Sequence, residues 1–448
     1  MESGNPILPT ELWRQILEFV PPRYLRNVVL ASRRMNSVAS LPKLWVLMKV
    51  NMGKLRENGL AQFYNINRFS RIQRLDFKDV DLTTEDLKRL FKDIPDSLLK
   101  NITISWEQFG LVSQEALGKV VEHLKTFTVK RPGLITTDAL VKLENVLQSV
   151  KAVIINLDLS SANLTQVPGD LLAKIISQLT SVDMVTTNII NNQWGQVLEA
   201  TLISTTLVDV DLSFNYLRGV QPDLLAGAIR RLRKIILRFT HLTTEQSSQV
   251  VKAVNFSVTL VEVDLSWNNL RSVEAELLAG AVRRLHKVKL ESTRLTIEQS
   301  FEVVKAVNSS TTLVKVDLSC NNLRNVEVDL LAGAVHRLHK ISLRRTELEV
   351  EQCTEVVNAI SSSTTLVDVN LSCNILSSVE ADLLAEAVGR LRKVRLWCTS
   401  LTTLQFTELV KAVNSSTTLE DVELRGNHIR EKVPADLLNT LPRNVARY

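Results

Sequence analysis

Cysteine is scarce in this sequence, with four in 448 residues and no C-x-x-C pair. That excludes a disulfide-stapled scaffold and a cysteine-rich zinc module. Aromatic residues make up only 5%. No apolar run approaches the roughly 18 residues that a membrane-spanning helix needs. The opening "MESGNPILP" has neither the basic start nor the apolar core of a secretory signal. The expectation is a cytoplasmic or nuclear protein that does not enter membranes. There is no Gly-rich phosphate loop and no nucleophile with a suitable base. No catalytic residue, metal ligand or cofactor is therefore assigned, and the chain is read as a non-enzyme.

Charge of one sign is also thin on the ground. The net charge is +6, and residues 1–50 alone carry seven Lys/Arg against three Glu. Most other basic residues recur at fixed repeat positions, and no long basic run exists. Nucleic acid is accordingly not expected as a partner.

What the chain has in abundance is repetition. "VEVDLSWNNL" (Val261 to Leu270) returns as "VDVDLSFNYL", "VKVDLSCNNL" and "VDVNLSCNIL", with "INLDLSSANL" and "EDVELRGNHI" at the outer ends. Its acidic or amide marker falls at Asp158, Asp211, Asp264, Asp317, Asn370 and Glu423, each interval being 53 residues (211 − 158, 264 − 211, and so on). Between these copies lie "RLRKIILRFTHL", "RLHKVKLESTRL", "RLHKISLRRTEL" and "RLRKVRLWCTSL". Both types fit L-x-x-L-x-L-x-x-N-x-L, with Thr replacing Asn in the second. They form an alternation of leucine-rich repeats, about 28 and 25 residues long.

A lone repeat cannot bury its apolar face, whereas stacked repeats share one continuous core. Leu260, Val263, Leu265 and Leu270 are thus expected to point inward. Asn163, Asn215, Asn268, Asn321, Asn374 and Asn427 are expected to satisfy buried backbone in their own turn and in the following repeat. Thr240, Thr293, Thr346 and Thr399 can do so with a hydroxyl. The return limbs read as helices. Thr243 to Gln246 and Thr296 to Gln299 have capping-box spacing. "QPDLLAGAI" and "VPADLL" start with Pro near the first helical position. Arg230, Arg231, Arg283 and Arg284 fall in the last turns, at the negative dipole end.

Weaker copies reach back through "LDFKDVDLTTED" and "FTVKRPGLITTDAL", of one type, and "ITISWEQFGLVSQEAL", of the other. About fourteen repeats occupy residues 73–448 on this count. Alternating repeats of these lengths resemble the ribonuclease-inhibitor class. The resemblance implies an α/β horseshoe solenoid with a parallel sheet inside and helices outside.

Along the strands, the residue before the second framework position runs Asp209, Lys234, Glu262, Lys287, Lys315, Lys340, Asp368, Lys393, Asp421. Apart from Lys315, the signs alternate, as a cross-strand ion-pair ladder would require. The residues after the third framework position vary freely. Phe214, Phe239 and Trp267 fall on adjacent strands with Arg238 beside them, and aromatics and Arg dominate interface energetics. They are nominated as a substrate-binding patch on the concave face. Arg344, Arg345 and Trp397 are a second candidate surface, suited to an acidic or phosphorylated partner. The competing reading is that the aromatics only pack on the strand-to-helix turn. His286 and His339 occupy the basic column of Arg233 and Arg392. Cys373 and Cys398 should be cross-strand neighbours and free thiols.

Residues 1–50 differ in kind. Thr10 can cap a helix with Leu12, Trp13, Ile16, Leu17 and Val20 on one face, and Pro21-Pro22 stops it. "ILPTELWRQIL" followed by "SRRMNSVASLPKLW" resembles an F-box, through Leu8, Pro9, Glu11, Leu12, Ile16, Leu17, Leu25, Val29, Arg33, Leu44 and Trp45. Ser32 and Met35 stand where Cys and Trp are usual, and Tyr24-Leu25 replaces the common Asp-Leu. The resemblance implies a small all-α F-box over 1–50, a connecting segment over 51–72, then the repeats. It further implies a non-catalytic substrate receptor of an SCF-type cullin ubiquitin ligase. A Skp-family adaptor, and through it a cullin, would be bound by Leu8, Pro9, Glu11, Leu12, Ile16, Leu17, Leu25, Val29, Leu44 and Trp45. The alternative is a leucine-rich-repeat scaffold or inhibitor outside the ubiquitin system, with residues 1–50 a helical cap.

Overall fold

The computed structural model describes residues 74–76, 100–130, 134–148, 154–427 and 445–446. The nominated adaptor-contact residues, Leu8, Pro9, Glu11, Leu12, Ile16, Leu17, Leu25, Val29, Leu44 and Trp45, lie outside them. So do the expected boundaries at residues 50 and 72. The chain forms two units, Met1–Leu207 and Val208–Tyr448. Each is built from leucine-rich repeats in which a short parallel strand alternates with a helix, the α/β solenoid expected from the period.

In the first unit, β1 (Arg74–Asp76), β2 (Asn101–Ser105), β3 (Thr126–Lys130), β4 (Ile154–Asp158) and β5 (Ser181–Asp183) pair in parallel in chain order. One copy departs from the repeat pattern. After β2 the chain passes straight into a helix, Trp106–Leu111, with Ser105 as its cap and Gln108 closing the capping box. Trp106 and Phe109 are buried in edge-to-face contact at 5.4 Å. Large aromatics there replace the small polar turn of the regular copies.

The second unit is regular. Its strands are β6 (Asp209–Asp211), β7 (Lys234–Ile236), β8 (Glu262–Asp264), β9 (Lys287–Lys289), β10 (Lys315–Asp317), β11 (Lys340–Ser342), β12 (Asp368–Asn370), β13 (Lys393–Arg395), β14 (Asp421–Glu423) and β15 (Val445–Ala446). All are parallel, each paired with the next. The middle residue of every strand from β6 to β14 is buried, Val263, Val288, Val316 and Ile341 among them. Period two then turns the flanking charged residues to the opposite face of the sheet. The helices bury a matching stripe: Leu278, Ala279, Ala281 and Val282 in Ala275–Arg284, and Val303, Val304, Ala306 and Val307 in Ile297–Ser309.

Two buried amides join repeat to repeat. Asn268 donates from Nδ2 to the Leu237 carbonyl at 2.5 Å and to its own turn at Leu265 O, 3.2 Å. Its Oδ1 accepts from Thr240 N (3.2 Å), Thr240 Oγ1 (3.2 Å) and Leu242 N (3.4 Å). Asn321, Asn374 and Asn427 repeat this pattern. The connection runs back to the preceding repeat, where the sequence suggested the following one. Asn163 is a correction. Ala162, buried, holds the position of Asn215, while Asn163 is exposed and only caps Thr165. The two copies are in register, and Asn163 stands at the place of Tyr216.

Gln246 is the second amide. It closes the capping box with Thr243, and its Nε2 also reaches the Leu217 and Val220 carbonyls at 2.8 and 2.7 Å. Gln299 and Gln405 do the same for the repeats before them. Arg283 and Arg284 lie in the last turn of their helix, as expected, but the Arg284 guanidinium donates to the carbonyl ending the preceding helix, at Ser257, and Arg337 does the same at Ser310. These two arginines therefore close the end of a neighbouring helix.

Replacing Asn268 by Ala strands the buried N–H groups of Thr240 and Leu242, at a cost of about 3 kcal/mol or more. Asn163→Ala should cost less than about 1 kcal/mol, as an exposed site does. Urea unfolding of both variants tests the distinction.

Candidate functional site

The charged column on the face opposite the helices has the register that its alternation requires. Asp209 lies opposite Lys234, Lys234 opposite Glu262, and Glu262 opposite Lys287. Lys234 and Lys287 sit 3.6 and 3.3 Å from Glu262, which they share. Their charges hold its carboxyl below the usual range against the opposing effect of burial. Lys289 pairs with Asp264 at 3.0 Å, and Lys340 pairs with Asp368. Asp368 also takes Arg395 at 3.2 Å.

Beyond the strands the parallel hydrogen bonding continues, Phe239 N to Ser266 O at 2.9 Å and Trp267 N to Glu291 O at 2.7 Å. The chain then turns through a residue with left-handed backbone. Phe214, Phe239 and Trp267 have φ of +57°, +53° and +62°. Ser292, Cys320, Arg345, Cys373, Cys398 and Gly426 hold the same place in later repeats, all with positive φ. Glycine or asparagine suits this conformation, and a bulky side chain costs about 1–2 kcal/mol there. Yet three successive repeats place large aromatics at it.

Those rings are not buried in the turn. Phe214, Phe239 and Trp267 are 48%, 37% and 43% exposed. Phe239 stands between the other two, its ring centre 5.7 Å from Phe214 and 6.4 Å from Trp267. The Arg238 guanidinium lies 5.7 Å from the Trp267 ring, within cation–π range. The four residues of the first nominated patch are thus brought together. Tyr216 and His241, two positions further on, extend it: His241 is 4.6 Å from Phe239 and 5.4 Å from Tyr216. The sequence reading passed over both. Their signal was the x of N-x-L or T-x-L, which is polar in most other repeats (Asn269, Arg294, Asn322, Glu347 and Ser400, with Ile375 the exception).

Glu291 was also passed over. Arg238 binds its carboxylate at 2.6 Å, and Arg344 binds the other oxygen at 3.1 Å. Each arginine stands 53 residues away, reaching across an intervening strand. The reach is open because Ser266 and Ser319, between them, are small and buried. Burial pushes the Glu291 carboxyl up, but the Arg238 hydrogen bond and charge, with the Trp267 indole and Arg344, bring it below its usual range.

The second nominated surface is arranged otherwise. Arg344 belongs to the Glu291 cluster and also lies 3.2 Å from Cys320 Sγ. Arg345 is exposed on its turn. Trp397 leans over Gly426, where a Cβ would come within 2.9 Å of the indole Cδ1. Cys373 and Cys398 are cross-strand neighbours, since Asn370 pairs with Arg395 three residues earlier, and all four cysteines are free thiols. Cys353 is fully buried, which pushes its thiol up to about 11.

This arrangement has the makings of a recognition face: exposed rings beside flanking charges. Comparisons with known proteins agree with the architecture. An F-box domain model matches residues 6–47. The NACHT, LRR and PYD domains-containing protein 13 of Homo sapiens is 28% identical over 190 residues, 40% of this chain and 18% of that protein. Ribonuclease inhibitor of Mus musculus is 21% identical over 253 residues, 53% of this chain and 56% of that protein. The chain thus spans less than two thirds of either relative. The crystal structure of the Rad7 and Elc1 complex in yeast is alike in fold, with a TM-score of 0.50 and 13% identity over 81% of this chain and 88% of that one. The chain carries an F-box domain at its N-terminal end and a leucine-rich-repeat region resembling those of ribonuclease inhibitor and the NACHT, LRR and PYD proteins. No helix among the described residues is long and apolar enough to cross a membrane.

Two measurements probe this face. Phe239→Gly trades ring contacts for relief of the left-handed backbone, so its stability should change by less than about 1 kcal/mol in either direction, whereas Leu265→Ala in the core costs about 2–5 kcal/mol. Urea titration of each variant decides it. Glu291, depressed when folded, contributes stability above its unfolded value near 4.3, and loses it as pH falls through the folded value. The Tm difference between wild type and Glu291→Gln should be present at neutral pH and close only as pH falls below the range of a free glutamate carboxyl.

Proposed function

We propose that this chain is the substrate-recognition subunit of an SCF-type cullin ubiquitin ligase. The observation that carries this reading is the F-box domain at residues 6–47 joined to a leucine-rich-repeat array. F-box proteins of this kind are typically non-catalytic adaptors. Leu8, Pro9, Glu11, Leu12, Ile16, Leu17, Leu25, Val29, Leu44 and Trp45 bind a Skp-family adaptor, which links the chain to a cullin. The face carrying Phe214, Arg238, Phe239, Trp267 and Arg344 holds the protein to be modified, with Arg345 and Trp397 at its far side. The chemistry is one of position. Tethering raises the local concentration of target lysines at a thiol carried by another subunit.

A second reading keeps the face and drops the ligase. The likeness to ribonuclease inhibitor covers 53% of the chain and favours a stoichiometric binder or inhibitor, with residues 1–50 as a cap.

Co-elution of the purified full chain with a Skp-family adaptor separates the two. The expected result is a stable complex that the triple variant Pro9→Ala, Leu12→Asp, Ile16→Asp loses and Phe239→Gly keeps. A wild-type chain that is folded yet elutes alone assigns the protein to the second reading.

A further inference from the structure

The charged ladder contains one break. Asp209, Glu262, Asp368 and Asp421 are the acids of the longer repeats, and the residue in register with them on β10 is Lys315. It lies directly between Lys287 and Lys340. An acid there would have joined both neighbours, as Glu262 joins Lys234 and Lys287. A third lysine gives repulsion in its place. Lys287, Lys289 and Lys340 each have an acid of their own, namely Glu262, Asp264 and Asp368. Lys315, half-buried, makes no ion pair among the described residues. Its ammonium is held below the usual range by burial and by Lys340 and Lys289.

A few strands away, the exposed rings of Phe214, Phe239 and Trp267 lie on the same face, at backbone positions that disfavour them. The two features share a pattern: each departs from what the repeat favours, and each leaves a binding group unsatisfied.

We propose that the partner held on this face presents an extended, unphosphorylated segment, with a bulky apolar residue on the Phe214–Phe239–Trp267 rings and an aspartate or glutamate on Lys315, completing the ladder. This inference rests on the reading that a protein is bound on this face. The spacing follows from the register. Lys315 is level with Glu262, five residues before Trp267 and two strands over. At roughly 3.3 Å per residue and 4.8 Å between strands, the two points are about 19 Å apart, or about six residues of extended chain.

Charge count selects a carboxylate over a phosphate. One free ammonium suits a monoanion. A phosphate is best met by arginine forks, and those of Arg238 and Arg344 are taken up by Glu291.

The experiment pans a displayed library of random twelve-residue peptides on the full chain alone, with no adaptor present. Failure here and failure of adaptor binding are therefore separate results. The expected peptides carry an aromatic or branched aliphatic residue and an acid about six residues apart. Their affinity should fall more than about tenfold on Lys315→Glu and on Phe239→Asn. Lys315→Glu should at the same time raise Tm, because it restores the ladder, so lost binding cannot be put down to unfolding. Enriched peptides that lack an acid, binding that survives Lys315→Glu or Phe239→Asn, or no enrichment would each overturn the proposal. Phosphoserine in place of the acid should gain less than about threefold; a gain of tenfold or more transfers the site to phosphate and overturns the carboxylate assignment.

Discussion

The side-chain amide of Asn268 meets the Leu237 carbonyl and the Thr240 and Leu242 amides where two neighbouring repeats leave the sheet. Asn321, Asn374 and Asn427 do the same at intervals of one double repeat. Backbone that turns out of a parallel sheet has N–H and C=O groups with no strand to receive them, and burial forbids water from doing so. The amide meets that need while fixing the distance between successive turns. The left-handed residue just before it is part of the same device, because only that conformation brings the amide inward. Strand pairing, the helix stripe and the face all take their register from this turn.

The period, the alternation of repeat types and the inward residues were legible because burial acts on every copy alike. A rule imposed many times survives the irregularity of any one copy. Asn163 shows the limit: that copy keeps the register but carries Ala162 at the amide position, and the letter pattern pointed to the asparagine one place too far. Gln246 was legible as a helix cap and illegible as a clamp on Leu217 and Val220, since capping is local and the clamp spans 29 residues. The F-box was readable through its resemblance to a known family motif, Leu8-Pro9, Glu11-Leu12 and Ile16-Leu17 ahead of Leu44-Trp45.

The face was legible in part. Phe214, Phe239 and Trp267 stood out as the letters the framework leaves free, and strand order places them together. Glu291 did not stand out, because its partners lie two strands away on either side and pairing is easiest to see between adjacent strands. What opens that longer reach is the smallness of Ser266 and Ser319, a property of residues that seemed to belong to the framework. Tyr216 and His241 were missed for a related reason: the outward residue of N-x-L is polar in most copies, so its aromatic instances looked incidental.

The arginine–glutamate–arginine bridge over two serines gives the face a beat of two repeats, and so does the sign of the ladder. Loss or gain of a single repeat would bring acid beside acid and long side chain beside long side chain. Loss or gain of a pair keeps the alternation, except where the pair holds the break at Lys315. The structural module of this surface is therefore the pair, and the array keeps its alternation when its length changes in steps of 53 residues.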